Sequence, residues 1–76
     1  MSFHISFTTF EQIKTFVSLA ARQPFDISVS NERQHINGKD FMGMCSLDFT
    51  RPLKVYADCS SDEAAAFRQD ALALQG

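Results

Sequence analysis

The chain has 76 residues, 45% of them hydrophobic and 21% charged, and its seven Lys and Arg against nine Asp and Glu give a net charge of −2. This length and composition predict one folded domain over residues 1–76, and they exclude multi-domain enzymes and disordered proteins. The balanced charge removes the attraction that drives binding to nucleic acid or to anionic membranes. A domain this small buries only about 60% of its unfolded surface, which favours surface binding over catalysis in a deep cleft.

The sequence also indicates a cellular compartment. No stretch approaches 18 consecutive apolar residues, and Met1 to Phe7 alternate instead of forming a signal-peptide core. Cys45 and Cys59 are too few for a secreted disulfide framework and lack CxxC spacing, so we expect two reduced thiols in a cytoplasmic protein without membrane insertion.

The N-terminal part of the chain predicts a strand followed by a helix. Phe3 to Phe7 alternates apolar with polar residues, as a half-buried strand does. Two capping boxes overlap after it, Thr8 with Glu11 and Thr9 with Gln12. The predicted helix runs from Phe10 to Gln23 and is stopped by Pro24. Its apolar positions are Phe10, Ile13, Phe16, Val17, Ala20 and Ala21.

The middle of the chain predicts a hairpin and a short helix. Phe25 to Ser30 alternates, a turn is expected at Asn31-Glu32, and a weaker strand pattern covers Arg33 to Asn37. Gly38 is expected to be a flexible corner, followed by a helix from Asp40 to Ser46 with Asp40 as its N-cap. Gly43 should weaken this helix by about 1 kcal/mol relative to Ala.

The C-terminal part predicts a fourth strand and a third helix. Leu53 to Ala57 alternates, and Ser60 with Glu63 forms a capping box. Four residues of the following helix share one stripe: Ala64, Phe67, Ala71 and Leu74. The order is β-α-β-β-α-β-α, and strands polar on one side need only one covered face. We therefore expect an α+β fold with a four-stranded antiparallel sheet and three helices on one face.

Residues with catalytic chemistry are few. His4 and His35 have no sequence-local base or nucleophile, so they are interpreted as solvated strand histidines, with a metal pair or a phosphorylatable histidine as alternatives. Asp58, Asp62 and Glu63 precede or begin a helix, where carboxylates stabilise the helix end. No zinc spacing, P-loop or GxSxG occurs, and we expect no enzyme activity, metal or cofactor.

The short helix is the most informative segment. Phe41, Met42 and Met44 cannot all face one side, because adjacent helical residues are about 100° apart. Some of these side chains should therefore face solvent and form a docking patch for another protein, the alternative being that the helix turns them all inward.

The run Lys39-Asp40-Phe41-Met42-Gly43-Met44-Cys45-Ser46-Leu47 closely resembles the segment around the regulatory serine of HPr, the phosphocarrier of the bacterial sugar phosphotransferase system. The order of strands and helices resembles HPr over nearly the whole chain. The resemblance therefore implies the HPr fold, an open-faced β-sandwich.

At the phosphocarrier site the chain departs from HPr. Counted back from the short helix without gaps, the phosphorylatable histidine of HPr corresponds to Thr9 and the arginine that assists it corresponds to Glu11. Only Thr8 and Thr9 separate the predicted first strand from its helix, so the active-site loop is expected to be shortened. The resemblance implies a degenerate site that lacks both groups.

At the second HPr site, the regulatory serine corresponds to Asp40, while Phe41, Met42 and Cys45 match apolar partner-contacting positions and Ser46 matches a polar residue beside them. A carboxylate at a helix N-terminus is a weak, permanent counterpart of phosphoserine, or simply a cap.

The resemblance implies a regulatory module that binds cytosolic proteins of the HPr-binding kind: enzyme I, a catabolite repressor or a sugar-responsive enzyme. Two alternatives stay open. The chain could still carry phosphoryl groups on a displaced histidine, or its short helix could mediate weak self-association.

Overall fold

The computed structural model describes residues 1–75. Its elements are, in chain order, β1 (Ser2–Ile5), α1 (Phe10–Ala21), β2 (Ile27–Ser30), β3 (His35–Asn37), α2 (Phe41–Ser46), β4 (Leu53–Ala57), α3 (Ser61–Leu72) and a terminal 3₁₀ turn (Ala73–Gln75). The four strands form one antiparallel sheet in the order β1-β4-β2-β3. The predicted element order and sheet are confirmed. None of the helices within residues 1–75 is long and apolar enough to cross a membrane.

The hydrophobic core lies between the sheet and the helices. Alternate residues of β4 and β2 are buried, while the residues between them are exposed or half-buried. The largest buried side chain of α3, Phe67, lies at the centre of an aromatic cluster. Its ring centroid is 5.8 Å from that of Phe16 and 6.1 Å from those of Phe3 and Phe25. One face of the sheet is thus covered by helices and the other is open.

Three predicted strand limits are too wide. Phe7 and Phe25 lie outside β1 and β2, yet both are at least nine-tenths buried, because an apolar side chain can pack in the core without its backbone joining the ladder. The strand predicted from Arg33 begins at His35. The Asn31 side-chain oxygen accepts from the N–H groups of Arg33 and Gln34 at 2.8 Å, so those residues belong to the turn.

Helix α1 has Thr9 as its N-cap, but only one half of the predicted Thr9–Gln12 capping box forms. The Thr9 hydroxyl accepts from the Gln12 N–H at 3.3 Å, and the Gln12 side chain accepts from the Thr8 N–H at 2.7 Å. The Gln12 side chain thus accepts from the residue before the N-cap, and the predicted capping box of Thr8 with Glu11 does not form. The helix ends at Ala21, two residues before the predicted limit. Ala21 and Phe10 are exposed, so the predicted apolar stripe is wrong at both of its ends.

Two glycines allow close packing. The Gly38 N–H donates to the Ile27 carbonyl at 2.8 Å, and a Cβ on Gly38 would lie 2.7 Å from Ile27 Cγ2. Gly38 is buried, so its predicted role as a flexible corner is replaced by a packing role. A Cβ on Gly43 would lie 2.7 Å from Ile36 Cγ2, so Gly43 lets α2 pack closely on β3.

Helix α3 forms the predicted capping box. The Ser60 hydroxyl accepts from the Glu63 N–H, and the Glu63 carboxylate accepts from the Ser60 N–H. Ala64, Phe67 and Ala71 are buried, and Leu74 packs partly buried against the core beyond the end of the helix. Because both the cap and the apolar stripe depend on local spacing, the sequence pattern was sufficient to locate this helix.

Candidate docking surface

The short helix α2 divides its apolar side chains between the core and the solvent. Met44 is fully buried, whereas Phe41 is 41% and Met42 is 78% exposed. The 100° step between neighbouring helical residues produces this division, because Met44 lies in the core and Met42, two residues away, lies on the opposite side of the helix. The prediction that part of this helix faces solvent is confirmed for Phe41 and Met42.

The remaining residues predicted for the patch lie on the same helix but contribute less exposed surface. Cys45 is half-buried and packs against the core. Ser46 is exposed, and its hydroxyl donates to the Gly43 carbonyl at 2.6 Å, a hydrogen bond within the last turn of α2. Ser46 therefore stabilises the end of the helix.

An aromatic pair of one exposed and one half-buried ring links the two helices. Phe10, the first residue of α1, is 58% exposed, and its ring meets that of Phe49 edge-on, with centroids 5.1 Å apart. Phe49 follows α2 by three residues, so the contact joins the start of α1 to the segment after α2. This pair was not predicted, because Phe10 fits the spacing of the buried stripe. Its position directly after the Thr9 cap is the signal that it lies at the rim of the core.

Asp40 lies at the N-cap of α2 as predicted, but without the hydrogen bond of a capping side chain. Its backbone is extended, with φ −99° and ψ 101°, and its carboxylate accepts no capping hydrogen bond from α2, whose residues are all described. One carboxylate oxygen lies near Gly43, 2.9 Å from where a Cβ would stand. Asp40 thus places an exposed negative charge beside the helix N-terminus, where the helix dipole favours it.

Thr9 and Glu11 lie at the N-terminus of α1, the end at which the resemblance places phosphotransfer. Thr9 is the N-cap, and Glu11 is an exposed acidic residue of the first turn. The connection from β1 to α1 contains residues 6–9, since β1 ends at Ile5. It is therefore four residues long, not the two expected from the sequence.

The two histidines lie far apart on the open face of the sheet. His4 is in β1 and His35 in β3, and both are exposed. β1 and β3 are the edge strands, three strand spacings or about 14 Å apart, which is too far for one metal ion. The alternative of a histidine metal pair is therefore wrong. Across residues 1–75 no three His, Cys, Asp or Glu side chains cluster in a way that could hold a metal.

The two cysteines are free and half-buried. Burial raises the pKa of the Cys59 thiol, and the nearby carboxylate of Glu63 raises it further. A thiol with a raised pKa is mostly protonated at neutral pH and is a weak nucleophile. The position of Cys59 beside a helix start therefore does not activate it.

A shallow groove borders α2 on its C-terminal side. It has a volume of about 550 Å³ and lies between the β2–β3 turn and the segment that leads to β4, with Arg33, Arg51, Ser46 and Asp48 in its lining. The Thr50 hydroxyl and N–H donate to the Asp48 carboxylate at 2.6 and 3.0 Å. These two hydrogen bonds, with the charge of Arg51 as a lesser cause, hold the pKa of Asp48 below its usual value. Charges of both signs line this groove, which gives it no clear preference for one ligand.

The open-faced sheet, the three helices and the exposed residues at the ends of α1 and α2 define the architecture, an open-faced β-sandwich. Solved structures with the same fold are HPr phosphocarriers. The chain superposes on HPr from Thermoanaerobacter tengcongensis with a TM-score of 0.76 and 22% identity, over 95% of this chain and 90% of that one. It superposes on HPr from Bacillus anthracis with a TM-score of 0.75 and 17% identity, over 97% and 94% of the two chains.

A third solved structure with this fold is Crh of Bacillus subtilis, a catabolite repression protein described as a domain-swapped dimer. The TM-score is 0.63 and the identity 20%, over 88% of this chain and 85% of Crh. No protein-family model and no curated protein matches the sequence. The chain therefore has the HPr fold, as the sequence predicted, while identities of 17–22% leave its function to be argued from its own residues.

Proposed function

We propose that this protein is a regulatory, protein-binding relative of HPr that is connected with the phosphoenolpyruvate-dependent sugar phosphotransferase system and has lost the phosphocarrier activity. It is a binding module and not an enzyme, and it works in the cytoplasm. The surface that binds is the helix from Asp40 to Ser46. The observation that carries the proposal is the exposure of Phe41 and Met42 on a helix whose third apolar side chain, Met44, is buried.

The exposed side chains supply what a transient protein interface needs. A Met side chain adapts to the shape of a partner and an aromatic ring provides contact area at low entropic cost. Phe10 is a further exposed apolar side chain, at the start of α1. The partners proposed are cytosolic proteins that bind HPr: enzyme I, a catabolite repressor or a sugar-responsive enzyme.

The residues at the N-terminus of α1 support the loss of phosphotransfer. A phosphohistidine there would be stabilised by free N–H groups and a nearby cation. In this chain the Thr9 hydroxyl already accepts the Gln12 N–H, and the Glu11 carboxylate adds a negative charge. Both features disfavour a dianionic phosphoryl group at this helix end.

Titration of the ¹⁵N-labelled protein with each of the three partners, followed by NMR, tests the docking helix. We expect resonances from Asp40 to Leu47 to shift and the substitution Met42→Glu to abolish the shifts. The matched control is Ala66→Glu, which adds the same charge at an exposed position on α3. If none of the partners moves these resonances, or if both variants bind as well as the wild type, the proposal is wrong.

Asp40 is proposed to contribute its charge to the interface as a permanent counterpart of phosphoserine. The substitution Asp40→Asn keeps the shape of the side chain and removes the charge. We expect it to weaken binding by about two- to fivefold, the effect of one exposed charge near a helix end. Equal affinities of Asp40→Asn and the wild type would show that Asp40 is only a helix-start residue.

Incubation with phosphoenolpyruvate and enzyme I, read by intact mass, tests the competing phosphocarrier role. His4 and His35 are both exposed, but each lies in a strand and neither lies at a helix N-terminus. We expect no phosphoryl adduct, with HPr as the positive control. An adduct on either histidine would replace the proposed regulatory role by phosphotransfer.

A further inference from the structure

The open face of the sheet carries charges of opposite sign at its two ends. The strand register aligns His4, Lys54, Ser30 and His35 in one row across all four strands. The next row toward the other end aligns Ser2, Tyr56, Ser28 and Asn37. Beyond it lie Asp58, which follows β4, and Asp26, which precedes β2, joined by a hydrogen bond from the Asp58 N–H to the Asp26 carbonyl at 3.0 Å. The face thus has a basic end at Lys54 and an acidic end at Asp26 and Asp58, and the Met1 ammonium, which donates to the Ala57 carbonyl at 3.1 Å, lies at the β1 corner of the acidic end.

The charges are symmetric about Tyr56. Lys54 lies two residues before Tyr56 in β4, and Asp58 lies two residues after it, directly beyond the end of the strand. All three are exposed, and the residues between them, Val55 and Ala57, are buried. Two residues of an extended strand span about 6.8 Å. Lys54 and Asp58 therefore lie at equal distances on opposite sides of the Tyr56 ring, which is 48% exposed.

We propose that this open face is a self-association surface that pairs with the same face of a second copy of the chain. The two-fold axis runs between the two sheets, perpendicular to the strands, and passes over Tyr56 of β4. This axis makes the two β4 strands antiparallel, so Lys54 of each copy faces Asp58 of the other and the two Tyr56 rings meet at the centre. An isologous contact of this kind forms the Lys54–Asp58 pair twice, once on each side of the axis.

The acidic end has room for the incoming lysine. Asp26, Ser28, Asn37, Tyr56 and Asp58 line a depression of about 340 Å³ on this face. Two carboxylates, with an aromatic ring beside them, suit the ammonium group and the alkyl stem of a lysine. Within residues 1–75, Lys54, Asp26 and Asp58 have no ion-pair partner of their own chain, so these charges are available to a second copy.

A second copy fits this face better than a partner of one charge sign. A uniformly acidic protein would meet Asp26 and Asp58, and a uniformly basic one would meet Lys54. Only an occupant with the same two charges in reversed order matches both ends, and the chain itself has that arrangement. Small serines at positions 2, 28 and 30 leave the backbone of the face accessible to close approach.

The small area of the open face limits how tightly two copies of the chain can associate. Four strands at about 4.8 Å spacing and about 15 Å length present roughly 300 Å². Stable complexes bury about 800 Å² on each partner. The dimer is therefore weak and is populated at high chain concentration, and because its attraction comes from exposed charges, it weakens as salt concentration rises.

Charge reversal and charge exchange test this arrangement, with NMR chemical shifts and translational diffusion measured against protein concentration up to the millimolar range. For the wild type we expect shifts at Lys54, Tyr56 and Asp58 that grow with concentration. Lys54→Asp and Asp58→Lys should each weaken association about tenfold or more, because each single change places like charges opposite one another. The double variant Lys54→Asp with Asp58→Lys should restore it. Lys14→Asp, at an exposed position on α1, is the matched control and should leave association unchanged.

Three outcomes would overturn the proposal: a wild type that stays monomeric at millimolar concentration, a double variant that does not recover, or association that is lost in Phe41→Glu and kept in Lys54→Asp. The last result would place self-association on α2. Urea unfolding of each variant separates loss of association from loss of the fold. The test is independent of the docking proposal, because it needs no partner protein and the charge variants at Lys54 and Asp58 lie outside α2.

Discussion

At the scale of single residues, Gly43 shows how the packing of α2 depends on one missing side chain. Its Cα faces Ile36 of β3 so closely that a Cβ would lie 2.7 Å from Ile36 Cγ2 and 2.9 Å from an Asp40 carboxylate oxygen. Contacts this short require one of the neighbours to move. Helix propensity alone predicts that Ala would be better than Gly here by about 1 kcal/mol. The tertiary contact reverses that preference.

The substitution Gly43→Ala is therefore expected to destabilise the protein, by about 1 kcal/mol net, since overpacking costs about 1–3 kcal/mol and helix propensity offsets part of it. Urea unfolding followed by far-UV circular dichroism measures the change. The control is the same substitution in an Ile36→Ala background, which lacks the clashing methyl group. There Gly43→Ala should be neutral or stabilising, and an equal cost in both backgrounds would contradict the close-packing explanation.

At the scale of elements, the three helices begin in different ways. α1 and α3 have side-chain caps, in which the hydroxyls of Thr9 and Ser60 accept backbone N–H groups. α2 has Asp40 at the same position, but its carboxylate accepts no capping hydrogen bond from the helix. The start of α2 is therefore held by packing on β3 and by the helix dipole instead of by a cap.

This difference predicts that removing the N-cap side chain of α3 costs more free energy of unfolding than removing that of α2. Ser60→Ala removes one member of a reciprocal capping box and should cost about 1 kcal/mol of unfolding free energy. Asp40→Ala removes only a charge near the helix end and should cost less than half as much. Denaturant unfolding of the two variants under identical conditions gives the comparison. Equal losses would mean that the Asp40 carboxylate caps α2 in solution.

At the scale of the whole molecule, stability depends on one small aromatic core. Phe67 joins α3 to the rest of the fold through its ring contacts with Phe3, Phe16 and Phe25. It is 2% exposed, so nearly all of its surface is removed from water. A domain of this size has a free energy of unfolding of about 4–11 kcal/mol. Loss of a single central ring is therefore a large fraction of the total.

The substitution Phe67→Ala should cost about 3–5 kcal/mol, enough to leave a substantial unfolded population at room temperature. The same chemical change at Phe10, which is 58% exposed, should cost less than about 1 kcal/mol. Thermal unfolding by circular dichroism distinguishes the two. A Phe10→Ala variant as unstable as Phe67→Ala would show that the Phe10–Phe49 pair belongs to the core and not to the exposed surface.

Most of the fold, and the presence of solvent-exposed apolar side chains on α2, could be predicted from the sequence. The strands and helices depend on the spacing of apolar residues and on local caps such as Ser60 with Glu63, which act over a few residues. The exposure of Met42 followed from helical geometry in the same way. Phe10 could not be predicted correctly, because its spacing fits the buried stripe while its ring lies against Phe49, 39 positions along the chain.

By itself the sequence determined an α+β fold with four antiparallel strands, because the alternating and helical spacings of apolar residues depend only on neighbouring positions. The tertiary structure decided which side chains of those elements remain exposed, why Gly43 must be a glycine, and how Lys54 and Asp58 are arranged about Tyr56 on an open face. These properties depend on contacts and register between segments that are distant along the chain. The surface on which a function can act is therefore set by the packing of the elements, beyond what their local patterns specify.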